Sequence, residues 1–291
     1  MLKSTQRTST LAPLLATLML GSTAASAITV DVETDAAMLA ERIAGVGISV
    51  VGTPTLTGAF GQAATYTGAA GPADGVVFST GNAADIPGTP SDVLNTSFGG
   101  PGDADIAALP GLPGAVPGGL GAADAVVLEF DFIAAGPDAS LSLFLATDDL
   151  ANGGQAGAGP QTHDITQVLA HGFNDAALVS INGTPLIFDA NGTAIGSLLI
   201  QAIAAGGPGG TNPLGTAPIS DTGFGEHSGD LAQGFTLGSG VHTIKIAIAD
   251  GTDGGFDTAL FLPNGSLTAV PTPTTAALLM PAAMMLLRRR R

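Results

Sequence analysis

The sequence predicts an all-β protein: a β-sandwich, jelly-roll-like in its winding, with long Gly/Pro-rich loops and at most short helices. Three observations carry that expectation. Two stretches alternate with a period of two, 124–132 (DAVVLEFDF) and 241–249 (VHTIKIAIA), with β-branched and aromatic residues on one face. Asn-Gly pairs stand at Asn152-Gly153, Asn182-Gly183, Asn191-Gly192 and Asn264-Gly265, and that dipeptide is the strongest short hairpin signal. Apolar segments are short and regularly spaced, without the long 3.6-residue periodicity of packed helices.

Taken in order, 28–32 alternates and reads as a first strand. Residues 35–43 fit one or two helical turns, with Asp35 at the N-terminus and Gly45 near the end. Strands follow at 47–51 and 75–79, the latter closing at Gly81. Between 82 and 121 the composition shifts to Pro, Gly, Ala and Asp, which predicts one long surface excursion. The clearest central strand is 124–132, and 141–146 is the next. Residues 178–181, the Asn182-Gly183 pair and 185–188 form a hairpin pattern, and 195–204 suits a short helix. The stretch 241–262 reads as strand, acidic glycine loop and strand, with Asp250, Asp253 and Asp257 spaced by Gly251, Gly254 and Gly255. One domain over 28–263 fits this pattern, because no linker-like shift divides it.

Charge is the unusual feature. Of 8 Lys and Arg, only Arg42 and Lys245 lie between the two ends, against all 24 acidic residues, so the body carries about 22 net negative charges. Such a surface repels nucleic acid and anionic lipid and attracts cations. There is no cysteine, which excludes disulfides, thiol catalysis and zinc–thiolate sites.

Both extremities carry targeting patterns. Residues 1–27 have a positive start (Lys3, Arg7), an apolar core over 11–20 and the small-residue site Ala25-Ser26-Ala27, the three parts of a secretory signal peptide cleaved by signal peptidase. At the other end, 264–275 reads as a short linker containing Val270-Pro271-Thr272-Pro273. An apolar run over 276–287 and Arg288, Arg289, Arg290 and Arg291 follow. Twelve residues span about 18 Å as a helix, short of the roughly 30 Å hydrocarbon core. The arginines would hold that end on the cytoplasmic side.

This tail resembles the PEP-CTERM sorting signal of Gram-negative bacteria, with Thr272 where the eponymous motif has an acid. The resemblance implies transient residence in the inner membrane and cleavage by an exosortase-type enzyme, with a permanent anchor as the alternative. Segments of the body are similar, in order, to the choice-of-anchor L domain of bacterial surface proteins: 75–81 (GVVFSTG), 98–106 (FGGPGDADI), 124–132, 146–149 (ATDD), 173–175, 180–182 and 242–262. The match covers about 45–263 and departs from the family where Thr147-Asp148-Asp149 replaces its Ser-Glu-Glu element. It implies a cell-surface role and no established enzymatic activity.

Calcium is the sharpest chemical expectation, because it takes six to eight hard oxygen ligands of the kind aspartate loops supply. Candidate ligands are Asp103 and Asp105, Glu129 and Asp131, Asp148 and Asp149, Asp175 beside Asn174, and Asp250, Asp253 and Asp257. Alternation puts Glu129 and Asp131 on one face, opposite Leu128, Phe130 and Phe132. Were that face covered, only Arg42 or Lys245 could pair with them. The plain alternative is a set of solvated turn acids. FGGPGDADI is similar to a calcium-binding nonapeptide repeat but is out of register and does not recur, and 250–257 lacks EF-hand spacing.

Paired carboxylates could serve a glycosidase, but the common hydrolase motifs are missing from the sequence. No Gly-x-Ser-x-Gly elbow accompanies Glu226-His227-Ser228-Gly229-Asp230, and His163, His171, His227 and His242 form no HExxH. With no Trp and one Tyr (Tyr66), the aromatic platform on which sugars stack is missing unless Phe supplies it, and the 12 Phe are expected in the core. The reading that results is an exported structural or adhesive protein of the cell surface, outer membrane or extracellular matrix of a Gram-negative bacterium, with calcium as stabiliser. A calcium-dependent carbohydrate-binding module for extracellular polysaccharide is the alternative, and a secreted hydrolase comes third.

Overall fold

In the computed structural model the chain is a two-sheet antiparallel sandwich. The structure describes residues 27–68, 74–88, 94–109, 123–148, 175–186, 195–196, 222–224, 226–251 and 256–270. The first sheet contains β1 (Thr29–Val32), β3 (Ala63–Thr67), β4 (Asp74–Ser79), β13 (Thr258–Pro263), β6 (Asp138–Thr147) and β10 (Glu226–His227), in that spatial order. Two further strands, β11 (Leu231–Thr236) and β14 (Leu267–Ala269), continue the pairing along the long β6. The second sheet runs β2 (Ile48–Thr57), β5 (Ala123–Ala134), β12 (Val241–Asp250), β7 (Ala176–Ile181) and β8 (Thr184–Pro185), and β9 (Ile195–Gly196) also pairs β7. The chain passes between sheets at most connections, the alternation that jelly-roll winding produces.

The period-two pattern is what makes this core. On β5, Val126, Leu128, Phe130 and Phe132 are buried, and in the pairing with β12 they stand opposite Ile248, Ile246, Ile244 and His242. Val76 and Phe78 of β4, Leu141, Leu143 and Leu145 of β6, and Leu260 and Leu262 of β13 meet them from the first sheet. Each such side chain contributes roughly 1.5–3 kcal/mol on burial. A second cluster covers the outer face of the first sheet, where Phe261 stacks on Phe144 at 4.4 Å between centroids and meets the Tyr66 ring edge-on at 5.3 Å.

The helix α1 (Ala36–Ile43) forms as the sequence predicts: the Asp35 carboxylate accepts from Ala37 N and Met38 N, and Leu39, Ala40 and Ile43 face the core. Four expectations are corrected. The start of the 82–121 excursion is not all surface: Leu94 and Ile106 are buried, and α2 (Ala104–Ala107) lays Ile106 on Ala176, Leu178, Ala247 and Ala249 of the second sheet. Ile195 and Gly196, expected to open a helix, are a strand pairing Ala177 and Ala176, since Ile195 is worth more in the core than on a short exposed helix. The Asn182-Gly183 hairpin forms, with Pro185 opposite Ser180, Leu186 N donating to Val179 O and 187–188 outside the described residues, but the Asn264-Gly265 pair turns no hairpin, since β13 and β14 run the same way along β6. Residues expected to open a linker at 264 form a turn and β14, because Leu267 and Ala269 bury against the core.

The sandwich has two unlike ends. Ile28 and Val270 both leave from the end where Thr29 pairs Thr67 and Ala269 pairs Ala139, the terminal end. At the opposite end lie Ser79, Asp124, Thr147, Asp175, Asp250 and Thr258, at strand termini. The three longest connections, β4 to β5, β6 to β7 and β9 to β10, start and finish at that second end, as does the acidic β12 to β13 loop, while β1 to β2 crosses from one end to the other through α1. Connections at the terminal end are short turns.

Candidate functional site

The end carrying the long connections is lined with carboxylates. Asp124, Asp148, Asp175, Asp250 and Asp257 are all buried there. A buried carboxylate must be hydrogen-bonded or neutralised, and three of these five receive a crossing strap, residues 94–101. Leu94 N donates to Asp148 Oδ2 at 2.7 Å and Thr96 N to Asp257 Oδ1 at 3.0 Å. Ser97 Oγ (3.0 Å), Phe98 N (2.8 Å) and Gly100 N all donate to Asp124. The backbone returns the contact, with Asp257 N donating to Leu94 O at 2.9 Å and Ala125 N to Pro101 O at 3.0 Å. Asp175 accepts from Thr80 Oγ1 (3.2 Å) and Gly251 N (2.7 Å), tying β4 to the end of β12.

Asp124 is the hub. It holds φ at +48°, a left-handed conformation that costs a non-glycine residue of order 1–3 kcal/mol and persists only where its surroundings enforce it. Its carbonyl accepts from Gln62 Nε2 at 2.6 Å, and the same amide donates to Thr80 O at 2.9 Å. The Gln62 Oε1 accepts from Ala59 N at 2.6 Å, so one buried glutamine fixes the turn between β2 and β3.

Electrostatics at this end are strained in one direction. Burial pushes the Asp257 carboxyl up to about 6; the Thr96 N–H opposes the rise, and the charges of Asp85 and Asp124 add to it. Elsewhere, burial lowers the His227 imidazole, with Asp230 opposing.

The expected ligands separate into four fates. Asp103 and Asp105 meet the Lys245 ammonium at 2.7 and 2.6 Å, while Asp103 also caps α2 through Asp105 N and Ile106 N. Burial works against that ammonium, but the two aspartates outweigh it and raise its pKa. Glu129 is exposed on the outer face of the second sheet and Asp131 accepts from its cross-strand neighbour Thr243 at 2.6 Å, so neither calls for a cation. Asp148, Asp175 and Asp257 hold backbone and hydroxyl donors as described, and Asp250 is buried beside them with partners of its own. Asp149, Asp253 and Asn174 lie outside the described residues. Among the described residues no three His, Cys, Asp or Glu side chains converge to hold a metal ion. Glu129 and Asp131 are likewise not brought together with Asp148 and Asp257 in any cleft; they sit on the outer face of the other sheet.

For the processing residues, Ala27 is exposed and Ile28 is buried at 4% in the second cluster, while Val270 is 65% exposed after donating to Asp138 O at 2.8 Å. Ala25, Pro271, Pro273 and Arg288–Arg291 lie outside the described residues. Among the described residues no helix is long and apolar enough to cross a membrane.

Comparison with family models, with curated proteins and with solved structures returns no match.

Sequence reasoning missed Asp124, Gln62, Asp85 and the exposed Phe60 and Phe98. Asp124 reads as the first residue of a strand, and nothing local marks its φ. A signal did exist for the turn: Gly58 and Gly61 flank Ala59-Phe60, and both glycines have positive φ.

Proposed function

We propose that the protein is an exported structural or adhesive component of the bacterial cell surface or extracellular matrix, matured by removal of its leader and sorted through its C-terminal tail. One observation carries the reading: the sandwich is polar, with both described chain ends leaving one end and the three longest connections gathered at the other. Loops grouped on a rigid scaffold are where binding is built. A chain tethered or processed through residues 270–291 would turn its loop end away from the envelope.

The boundaries of the fold support the same reading. Among the described residues the first buried side chain is Ile28, next to the Ala25-Ser26-Ala27 site, and the last strand ends at Ala269, next to Val270-Pro271-Thr272-Pro273. Neither processing step would cut into the core. The buried carboxylates are engaged by N–H and O–H donors, which favours a scaffold over a hydrolase. Calcium as a stabiliser is part of the same proposal. A melting temperature that rises with calcium and falls again with chelator keeps it in the reading, and indifference removes it.

Cell fractionation tests the proposal. Full-length protein should be retained in the envelope or matrix with the leader absent, and a variant ending at Ala269 should redistribute to periplasm or medium. Intact polypeptide with its leader, free in the cytosol, would overturn it.

A further inference from the structure

A single exposed phenylalanine needs no explanation. Two of them, on a turn and a strap joined by one buried polar framework, do. Phe60 is 78% exposed at the tip of the turn that Gln62 fixes, and Phe98 is 36% exposed on the strap that Asp124 fixes. The two supports are joined, because Gln62 Nε2 donates to Asp124 O. The Phe98 ring edge lies over Gly61, 3.7 Å from where a β-carbon there would stand, which brings it beside the residue that follows Phe60. A third turn closes the patch: Ala83 N donates to Gly61 O at 2.8 Å, Asn82 caps the 3-10 turn Ala83–Asp85, and exposed Asp85 accepts from Thr96 Oγ1 at 3.4 Å. Gln62 and Asp124 are each 1% exposed, so the side chains that present the two rings are themselves rigid.

We infer that Phe60, Phe98 and Asp85 form a contact patch for a glycan of amino sugars carrying free ammonium groups. The inference deepens the adhesive reading and rests on it. An apolar sugar-ring face stacks on a phenyl face, and an ammonium is attracted both to the phenyl quadrupole and to a carboxylate. With about 22 net negative charges on the body, an anionic polymer is repelled and a cationic one is steered in. A protein partner fits less well. Among the described residues the patch is built from three turns, and two rings fall far short of the roughly 1,000 Å² that a stable protein interface buries.

The test uses the processed protein purified from cells and a glucosamine hexamer at mildly acidic pH, where the sugar amines are protonated. Comparators are the fully N-acetylated hexamer, a neutral glucose hexamer and a lysine-rich peptide of similar charge. Binding is expected to weaken at least tenfold in Phe60→Ala, in Phe98→Ala and between 50 and 500 mM salt, and severalfold in Asp85→Asn, with Phe60→Trp retaining it. The melting temperature of each variant, expected to stay within about 2 °C of the parent, separates a lost contact from a lost fold; for Phe98, where the strap could loosen, Phe98→Leu keeps the packing and removes the ring. Absence of hexamer binding, equal binding by well-folded Phe60→Ala and Phe98→Leu, equal affinity for the acetylated hexamer, or preference for the peptide would each overturn the patch. None of those results touches the fractionation, so a surface protein with a different ligand and a protein that is not at the surface are told apart.

Discussion

At the terminal end of the sandwich the chain is fastened by its own main chain. Gly45 N donates to Leu267 O at 2.8 Å, Ala269 N to Val46 O at 2.8 Å, Ala135 N to Gly47 O at 2.7 Å and Gly265 N to Arg42 O at 2.7 Å. Gly45 and Gly47 sit so close to Gly265 and Ala269 that an added β-carbon would overlap a carbonyl oxygen, and Gly47 also holds φ at +77°. At the opposite end the crossing strap is held largely by side chains, the carboxylates of Asp124, Asp148 and Asp257 accepting from its N–H groups. Main-chain closure does not titrate and leaves no room for variation. Carboxylate closure titrates, and it seats a loop whose sequence can change as long as its N–H groups point inward. An end that anchors and an end that recognises would be built in those two ways.

The largest expected effect breaks the second fastening. Asp124→Ala orphans the donors of Ser97, Phe98 and Gly100 and keeps the strained backbone, at a cost of about 4 kcal/mol. Hydrogen exchange should rise at 97–100 while 265–269 stay protected; uniform loss of protection across both ends would show that they are not independent. Gly47→Ala attacks the first fastening through both overlap and φ, costing about 3 kcal/mol and lowering the melting temperature by roughly 6–12 °C. Its unfolding should keep the parent's pH profile, which is the sharper half of that prediction.

Asp257 supplies the pH profile. Its folded pKa of about 6 lies above the unfolded value near 3.8, so the folded state binds more protons in that interval. Stability is therefore full below about pH 4 as far as this group is concerned, and falls as pH rises through about 6, by about 2–3 kcal/mol in all. Urea midpoints from pH 4 to 8 measure it. Asp257→Asn should flatten the curve, and a curve that rises across that window would reverse the assignment. Smallest is Lys245→Met, which removes the ion pairs with Asp103 and Asp105 at the far foot of the strap. With Asp105 largely exposed the loss should be about 1 kcal/mol or below, concentrated in faster exchange near α2.

How far the sequence reached depends on the range of the interaction. The period-two runs at 124–132 and 241–249 are paired neighbours in one sheet, lining the same side of the core, and the reading of Leu128, Phe130 and Phe132 as inward holds. The Asn182-Gly183 pair is a hairpin turn with positive φ at both residues, whereas Asn264-Gly265, with positive φ at Gly265, links two strands that run the same way along β6. Asp35 caps its helix as expected. The strands β3, β11 and β14 went unread because their residues, such as AATYT and LAQGFT, are small or polar and lie in the sheet only through their partners. The acids were noticed and their partners were not. Lys245 could be recognised as scarce, but its pairing with Asp103 and Asp105 spans some 140 positions of sequence.

Composition, alternation and turn chemistry, all carried by residues within a few positions of one another, determined by themselves that this chain is an acidic, cysteine-free β-sandwich with a leader-like start and a basic tail. Which end the described chain ends leave, which carboxylates receive the strap, and that Phe60 and Phe98 stay exposed were decided only by the tertiary structure. The physical reason is that a buried aspartate and a solvated one are the same letter until the fold chooses what lies across from it.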